Sequence, residues 1–67
     1  MKIKVTKVAP MVLDNYRYYY RVEIFDTCPH DEIDVWLTVN DIQYTRTSSN
    51  IYYLGAEETT AFVLKWA

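Results

Sequence analysis

The segment that most restricts how this chain of 67 residues can fold is Tyr16-Arg17-Tyr18-Tyr19-Tyr20-Arg21. A β-strand sends successive side chains to opposite faces of its sheet, so the tyrosines of a strand here cannot all be buried. A strand over 16–25 has one face made of Tyr16, Tyr18, Tyr20, Val22 and Ile24, and another made of Arg17, Tyr19, Arg21, Glu23 and Phe25. The first face is much more apolar, and we therefore assign it to the core.

The sequence before this segment predicts a first strand and a turn. Ile3 and Val5 alternate with polar residues, which is typical of a half-buried strand. Pro10 cannot donate a backbone hydrogen bond to a neighbouring strand, so it belongs on an edge strand, at a bulge or where pairing stops. Asp14-Asn15 supplies the turn, because both residue types tolerate left-handed backbone conformation.

Residues 33–39 fit two patterns. Ile33, Val35, Leu37 and Val39 alternate without a miss, which predicts a strand with Trp36 on its outer side. A helix would place Ile33, Trp36 and Leu37 on one side instead. We favour the strand because this segment is rich in β-branched residues.

The last third of the chain predicts short strands separated by turns. Asn40-Asp41 suggests a hairpin turn into 42–46, the polar stretch 47–50 is the next turn, and 51–54 is another strand. The aromatic and β-branched content of 59–66 favours a final strand. A short helix beginning at Ala56-Glu57-Glu58 is the alternative.

Together these segments predict an all-β fold. We expect a small antiparallel meander of five or six short strands, closed into a barrel or folded into a compact sandwich, with residues 1–67 as a single domain.

Composition restricts the class of protein. Hydrophobic residues make up 51% of the chain, enough for a dense core. The lone Cys28 cannot form an internal disulfide, and one histidine with one cysteine cannot complete a zinc site. The chain has neither the apolar core of a signal peptide nor a transmembrane run, and we expect a reducing, cytoplasmic setting.

Charge is divided along the chain although the net charge is only −2. Residues 1–21 hold five Lys or Arg against one Asp, whereas 22–42 hold six Asp or Glu and no Lys or Arg. One interpretation is that neighbouring strands of opposite charge support each other. The other is a polarised surface with separate basic and acidic regions.

The cluster that most suggests a reaction is Cys28-Pro29-His30-Asp31. A nucleophilic cysteine needs a base and a group that orients the base, and the nearby carboxylates should raise the pKa of this thiol. The sequence contains none of the common phosphate-binding or hydrolase motifs. We therefore predict no enzymatic activity, no cofactor and no metal site.

Exposed aromatic and basic residues are the strongest functional signal. The strand assignments direct several of them to solvent: Lys2, Lys4, Arg17, Tyr19, Arg21, Trp36 and Tyr52. Protein interfaces use such residues, and so do binders of single-stranded nucleic acid. The aromatic residues could instead pack under the 26–32 loop as a second small core.

The acidic segment around that loop is a second candidate, formed by Asp26, Asp31, Glu32 and Asp34. Carboxylates displayed in this way can occupy a basic groove in place of phosphates. The alternative is a solvated loop that only carries charge.

We therefore predict a non-enzymatic protein that binds another protein. The predicted contact residues are Arg17, Tyr19, Arg21, Trp36, Asp31, Glu32 and Asp34. In size and composition the chain is similar in style to small inhibitors of host proteins encoded by bacterial viruses. The alternatives are a small nucleic-acid-binding β-barrel with the aromatic residues as stacking platforms, and a subunit of a homo-oligomer.

Overall fold

The computed structural model describes residues 1–13 and 15–67, and in these residues the chain forms four strands and two helices. In chain order they are β1 (Ile3–Leu13), β2 (Tyr16–Ile24), α1 (His30–Val39), β3 (Tyr44–Ser48), β4 (Ile51–Leu54) and α2 (Ala56–Trp66). Across this described part of the chain, neither helix has the length and apolar character needed to cross a membrane.

The four strands form one antiparallel sheet in the order β1-β2-β4-β3. Both helices pack on the same face of it, where Ile33 and Leu37 of α1 and Phe62 of α2 meet buried residues of β2 and β4. The antiparallel, mostly β architecture confirms the coarse prediction. The closed barrel or sandwich of five or six strands is wrong, because the sheet described is open and helices instead of a second β-layer cover one face.

The β1–β2 hairpin agrees with the sequence pattern. β1 is an edge strand, and its register slips between Lys7, opposite Tyr20, and Met11, opposite Tyr18. Three residues, 8–10, therefore lie opposite Tyr19 alone, and Pro10 is one of them. Pro10 is thus both on an edge strand and in a bulge, where its missing N–H disrupts no regular pair. In the predicted turn, Asn15 has a φ of 64°, while Asp14 lies outside the described residues.

β2 alternates as predicted. Tyr18, Val22 and Ile24 are buried beneath the helices, and Tyr16 and Tyr20 are half-buried on the same face. The Tyr18 hydroxyl accepts a 3.3 Å hydrogen bond from Gln43 Nε2, which satisfies part of its need for a partner.

α1 occupies the segment for which we predicted a strand. Ile33 and Leu37 belong to both patterns, and in the helix they are buried on one side with Trp36 half-buried beside them. Val35 and Val39, which completed the strand pattern, are 62% and 77% exposed. Burial of the helical stripe therefore outweighs β-propensity here. Asp31 and Glu32 in the first turn add support, because the helix dipole favours negative charge at that end.

The end of α1 explains the predicted Asn40-Asp41 turn, which caps a helix and does not join two strands. Asp41 adopts a left-handed conformation with φ of 55°. The Ile42 N–H donates to the Leu37 carbonyl at 2.9 Å, and the Asp41 N–H donates to Thr38 at 3.1 Å. This pair of bonds is a Schellman motif, and it leads the chain from helix into β3.

α2 shows that the favoured C-terminal strand is wrong and the alternative helix is right. It begins after Gly55, and Glu58 folds back over that glycine, where an added Cβ would clash with it. Thr59 and Phe62 are the buried residues of this helix. The Thr59 hydroxyl donates a 2.7 Å hydrogen bond to the Gly55 carbonyl, so the buried threonine that suggested a strand is satisfied within the helix.

Tyr52 is a further correction. We expected it on the solvent side, but it is fully buried between β4 and the helices, with its ring 5.9 Å from those of both Tyr44 and Phe62. Its sequence neighbour Tyr53 takes the outward position instead.

Candidate functional site

The structure separates the predicted contact residues into two groups on opposite sides of the sheet. Asp31, Glu32 and Trp36 lie on α1 and line a groove between the two helices. Arg17, Tyr19 and Arg21 lie on the side of β2 that faces away from the helices. The sequence therefore predicted parts of two surfaces where we expected one.

We call the first surface the interhelical groove. It is a shallow depression, widely open to solvent, with a volume of about 500 Å³, and it is lined by Asp31, Glu32, Val35, Trp36, Val39, Lys65 and Trp66. Its floor is aromatic: the Trp36 ring meets Trp66 edge to face at 6.1 Å and Phe62 at 6.3 Å. Such edge-to-face pairs contribute about 0.5–1.5 kcal/mol each, so they stabilise this floor before any partner binds.

The walls of the interhelical groove are apolar and exposed. Val35 and Val39 project from α1, one turn apart, with most of their surface in solvent. On the α2 side, Lys65 Nζ lies 5.5 Å from the centre of the Trp66 ring, within the range of a cation–π contact. The Trp66 Nε1–H is shielded from solvent and has no hydrogen-bond partner among the described residues. An apolar surface of this kind, rimmed by charges, is typical of an interaction site.

The rim of the groove carries opposite charges on its two sides. Asp31 and Glu32 are exposed on the α1 side, and Lys65 is exposed on the α2 side. Asp31 Oδ1 lies 3.1 Å from His30 Nδ1, but the two atoms lack hydrogen-bond geometry. Asp31 and Glu32 are both exposed at this rim, where another molecule can reach them.

Asp34, the remaining predicted contact residue, interacts with other side chains of the protein itself. Its Oδ1 accepts a 3.2 Å hydrogen bond from the buried Tyr52 hydroxyl, and its Oδ2 lies 3.8 Å from Arg46 Nε. Burial raises the pKa of Tyr52, and the negative charge of Asp34 raises it further. Asp34 thus joins α1 to the sheet, and its partners are already in place.

His30, Asp31 and Asp34 form the group closest to a cation site, with ligand atoms within 4.8 Å of one another. The positive end of the α1 dipole and the nearby Arg46 guanidinium both oppose a bound cation there. Asp34 also has its hydrogen bond to Tyr52. We therefore assign no metal to this group.

Cys28 has the environment of an inert thiol. Its Sγ donates to the Ser49 carbonyl at 3.2 Å. Burial raises the pKa of the thiol, Asp34 and Asp26 raise it further, and Arg46 opposes them. The predicted effect of the carboxylates has the right direction, although burial is the larger cause. A thiol with a raised pKa supplies little of the reactive thiolate.

We call the second surface the open sheet face. Directly paired residues share a face, so the register adds Lys4, opposite Glu23, and Tyr53, opposite Arg21, to Arg17, Tyr19 and Arg21. Arg21 Nη2 and Glu23 Oε1 form a 3.1 Å ion pair there. Tyr19 and Tyr53 are half-buried, which leaves part of each side chain accessible.

Sequence reasoning missed four groove residues and one residue of the open sheet face. Val35 and Val39 were assigned to a core, and Lys65, Trp66 and Tyr53 were not singled out. Residues 32, 35, 36 and 39 share one side of a helix, so the helical alternative for this segment contained the signal for half of the groove. The other half of the groove comes from α2. Its position depends on how the two helices pack together, which cannot be predicted from a local sequence pattern.

No family model matches the chain, and searches of the curated proteins and of the solved structures also found no match.

Proposed function

We propose that this protein is a non-enzymatic binding domain that receives an amphipathic helix of a partner protein in the interhelical groove. The observation that carries the proposal is the exposure of Val35 and Val39 beside the Trp36–Trp66 floor. Small proteins leave large apolar groups together in solvent mainly where a partner covers them. Helices that bind in grooves insert apolar anchors spaced by three and four residues.

The charges of the rim select the kind of helix. Asp31 and Glu32 are adjacent to the apolar wall of α1 and attract Lys or Arg side chains of the partner. The partner helix should therefore carry basic residues flanking its apolar face. Lys65 favours an acidic residue where the partner leaves the groove on the α2 side.

Selection from a displayed library of helical peptides tests this proposal. Peptides enriched by the wild-type protein should be apolar at positions i, i+3 or i+4, and i+7, and should carry Lys or Arg beside that face. The variant Val35→Glu should bind the enriched peptides at least about 30-fold more weakly, because a buried contact residue contributes about 2 kcal/mol or more.

Val12→Glu is the matched control, because Val12 is also a largely exposed valine but lies on β1. It should enrich the same peptides with unchanged affinity. Enrichment of acidic peptides, or equal binding by Val35→Glu, would contradict the proposal.

A second copy of the chain is the other candidate occupant. Association about a two-fold axis through the groove would bring Lys65 of each copy to Asp31 and Glu32 of the other, which makes the rim self-complementary. Sedimentation equilibrium decides between the two occupants. A dimer that dissociates in Val35→Glu and persists in Val12→Glu identifies the second copy as the occupant, and a monomer excludes it.

The role of an inhibitor, of the kind that bacterial viruses encode against host proteins, belongs to the same proposal. It is supported by the small size of the chain, by the absence of any common catalytic motif in its sequence and by the presence of a preformed groove. A cytoplasmic setting is proposed on the strength of the lone Cys28, which has no disulfide partner.

A further inference from the structure

The tyrosine rings of the open sheet face differ from most rings on the helix side, where Tyr20 is the exception that forms no ring–ring contact among the described residues. Tyr16, Tyr18, Tyr44, Tyr52, Trp36, Phe62 and Trp66 all take part in ring–ring contacts. Among the described residues, the Tyr19 and Tyr53 rings form neither a ring–ring nor a cation–π contact. These two rings lie on the adjacent central strands β2 and β4, with Tyr53 opposite Arg21 and diagonal to Tyr19. Their surfaces are available to another planar group.

The open sheet face carries mostly positive charge, although the net charge of the protein is −2. Lys4, Arg17 and Arg21 lie on it, against the single carboxylate of Glu23 in these register positions. The carboxylates of Asp31 and Glu32 lie beyond the helix-covered side of the sheet. The fold therefore places Lys4, Arg17 and Arg21 on the opposite side of the sheet from the carboxylates in the first turn of α1.

We propose that the open sheet face binds single-stranded nucleic acid, independently of the interhelical groove. Phosphates would pair with Lys4, Arg17 and Arg21, and two neighbouring bases would stack on Tyr19 and Tyr53. Adjacent strands are about 4.8 Å apart, so tyrosines on them can serve successive unstacked bases of one strand. Double-stranded DNA keeps its bases stacked inside the helix. An acidic peptide supplies charge but no planar groups for the tyrosines.

Fluorescence anisotropy with labelled oligouridine and oligothymidine of about 12 nucleotides tests the proposal. A polyglutamate peptide of matched charge serves as the competing polyanion. Binding should weaken with salt at a logarithmic slope of about −2, which corresponds to about a 20-fold loss between about 50 and 200 mM for three phosphate contacts on a single strand. Absence of binding at about 50 mM salt overturns the proposal, and polyglutamate binding of equal strength assigns the face to an acidic protein partner instead.

Variants identify the residues. Tyr19→Ala and Tyr53→Ala should each weaken oligonucleotide binding by about 5- to 150-fold, the range for loss of one base–aromatic stack. Tyr19→Phe keeps the ring and should retain the affinity, which separates stacking from loss of the hydroxyl. Arg17→Ala removes one cation from an exposed position and should reduce the salt slope by about 0.7.

Lys65→Ala is the matched control, because it removes the same charge from the groove on the other side of the molecule. It should leave both the affinity and the salt slope unchanged. Equal effects of Arg17→Ala and Lys65→Ala, or affinity that survives both tyrosine-to-alanine changes, would overturn the assignment of this face. Each outcome is independent of the peptide selection that tests the groove.

Discussion

Tyr52 and Tyr53 follow each other in β4, yet their environments are opposite. Tyr52 has no solvent-accessible surface and bonds Asp34 from within the core, whereas Tyr53 lies beside Arg21 on the open sheet face. Tyr18 and Tyr19 repeat this contrast in β2, the adjacent strand. The alternation of the strand alone decides which tyrosine holds the fold together and which is available to a ligand.

Two tyrosines that are adjacent in the sequence can therefore have different roles. On the covered face, Tyr18 and Tyr52 pack against other rings and bond their hydroxyls to Gln43 and Asp34, respectively. On the open face, Tyr19 and Tyr53 lie near Arg and Lys side chains.

Tyr52→Ala should lower the free energy of unfolding by about 3–5 kcal/mol, because it leaves a cavity between β4 and both helices. A domain of this size has a total stability of only several kcal/mol, so the variant should be largely unfolded. Tyr53→Ala should lower the free energy by about 1 kcal/mol or less. Circular dichroism without denaturant should show the loss of structure in Tyr52→Ala, and urea unfolding measures the small change in Tyr53→Ala. Equal losses would contradict the division between faces.

Asp34→Ala should lower the free energy of unfolding by about 1–3 kcal/mol, because it leaves the buried Tyr52 hydroxyl with only a 3.5 Å contact to the His30 carbonyl. Asp31→Ala is the matched control in the same turn of α1. It removes an exposed carboxylate near the helix N-terminus and should change the stability by less than about 1 kcal/mol. Thermal unfolding of the two variants side by side checks the difference, and similar losses would show that Asp34 has no special role.

Alkaline pH should weaken the fold through Tyr52. Because burial raises its pKa in the folded protein above the ordinary value of 10.0, the unfolded chain loses this proton first as pH rises. The stabilisation is complete below about pH 10 and falls above it, by up to about 1.4 kcal/mol per pH unit for one such group.

Tyr52→Phe cannot ionise and should lose stability less steeply than wild type in the same interval. Urea unfolding at pH values from about 9 to 11, with each protein referred to its own stability at pH 7, makes the comparison. Parallel curves would exclude Tyr52 as the source of the alkaline loss.

Glu23→Gln should change the free energy of unfolding by less than about 1 kcal/mol. Its partner Arg21 is partly exposed, and surface ion pairs contribute little. The same change removes the carboxylate of the open sheet face and should strengthen oligonucleotide binding while stability stays nearly constant. A larger loss of stability would move Glu23 to the group of residues that hold the fold.

The sequence was sufficient for the β1–β2 hairpin. Its pleat, its turn at Asn15 and the irregular position of Pro10 depend on local chemistry, and all three are found in the structure. Both helices were alternatives to the strands that we favoured. For α1, Ile33 and Leu37 satisfy both periods, and only packing on the sheet distinguishes them. Thr59 was misleading for a related reason, since its hydroxyl is satisfied by the carbonyl one turn earlier.

The same limit applies to the candidate sites. Arg17, Tyr19 and Arg21 could be grouped in advance because one strand presents them together. Trp36 could be singled out but not placed, since its position depends on Phe62 and Trp66 in a helix that begins 20 residues later. The divided charge of the sequence had two interpretations. Asp31 and Glu32 lie on a different side of the molecule from Arg17 and Arg21 because α1 packs on one face of the sheet.

The irregular stretch of β1 affects whether copies of the protein can associate edge to edge. A regular outer strand presents a row of free N–H and C=O groups, onto which a neighbouring chain can add and so extend the sheet without limit. Here Pro10 lacks the N–H that would donate a hydrogen bond, and the three-residue bulge interrupts the regular spacing of these groups. Like charges on Lys2, Lys4 and Lys7 would also repel an approaching copy of the strand. The irregular hairpin therefore disfavours the addition of another chain at the β1 edge of this sheet.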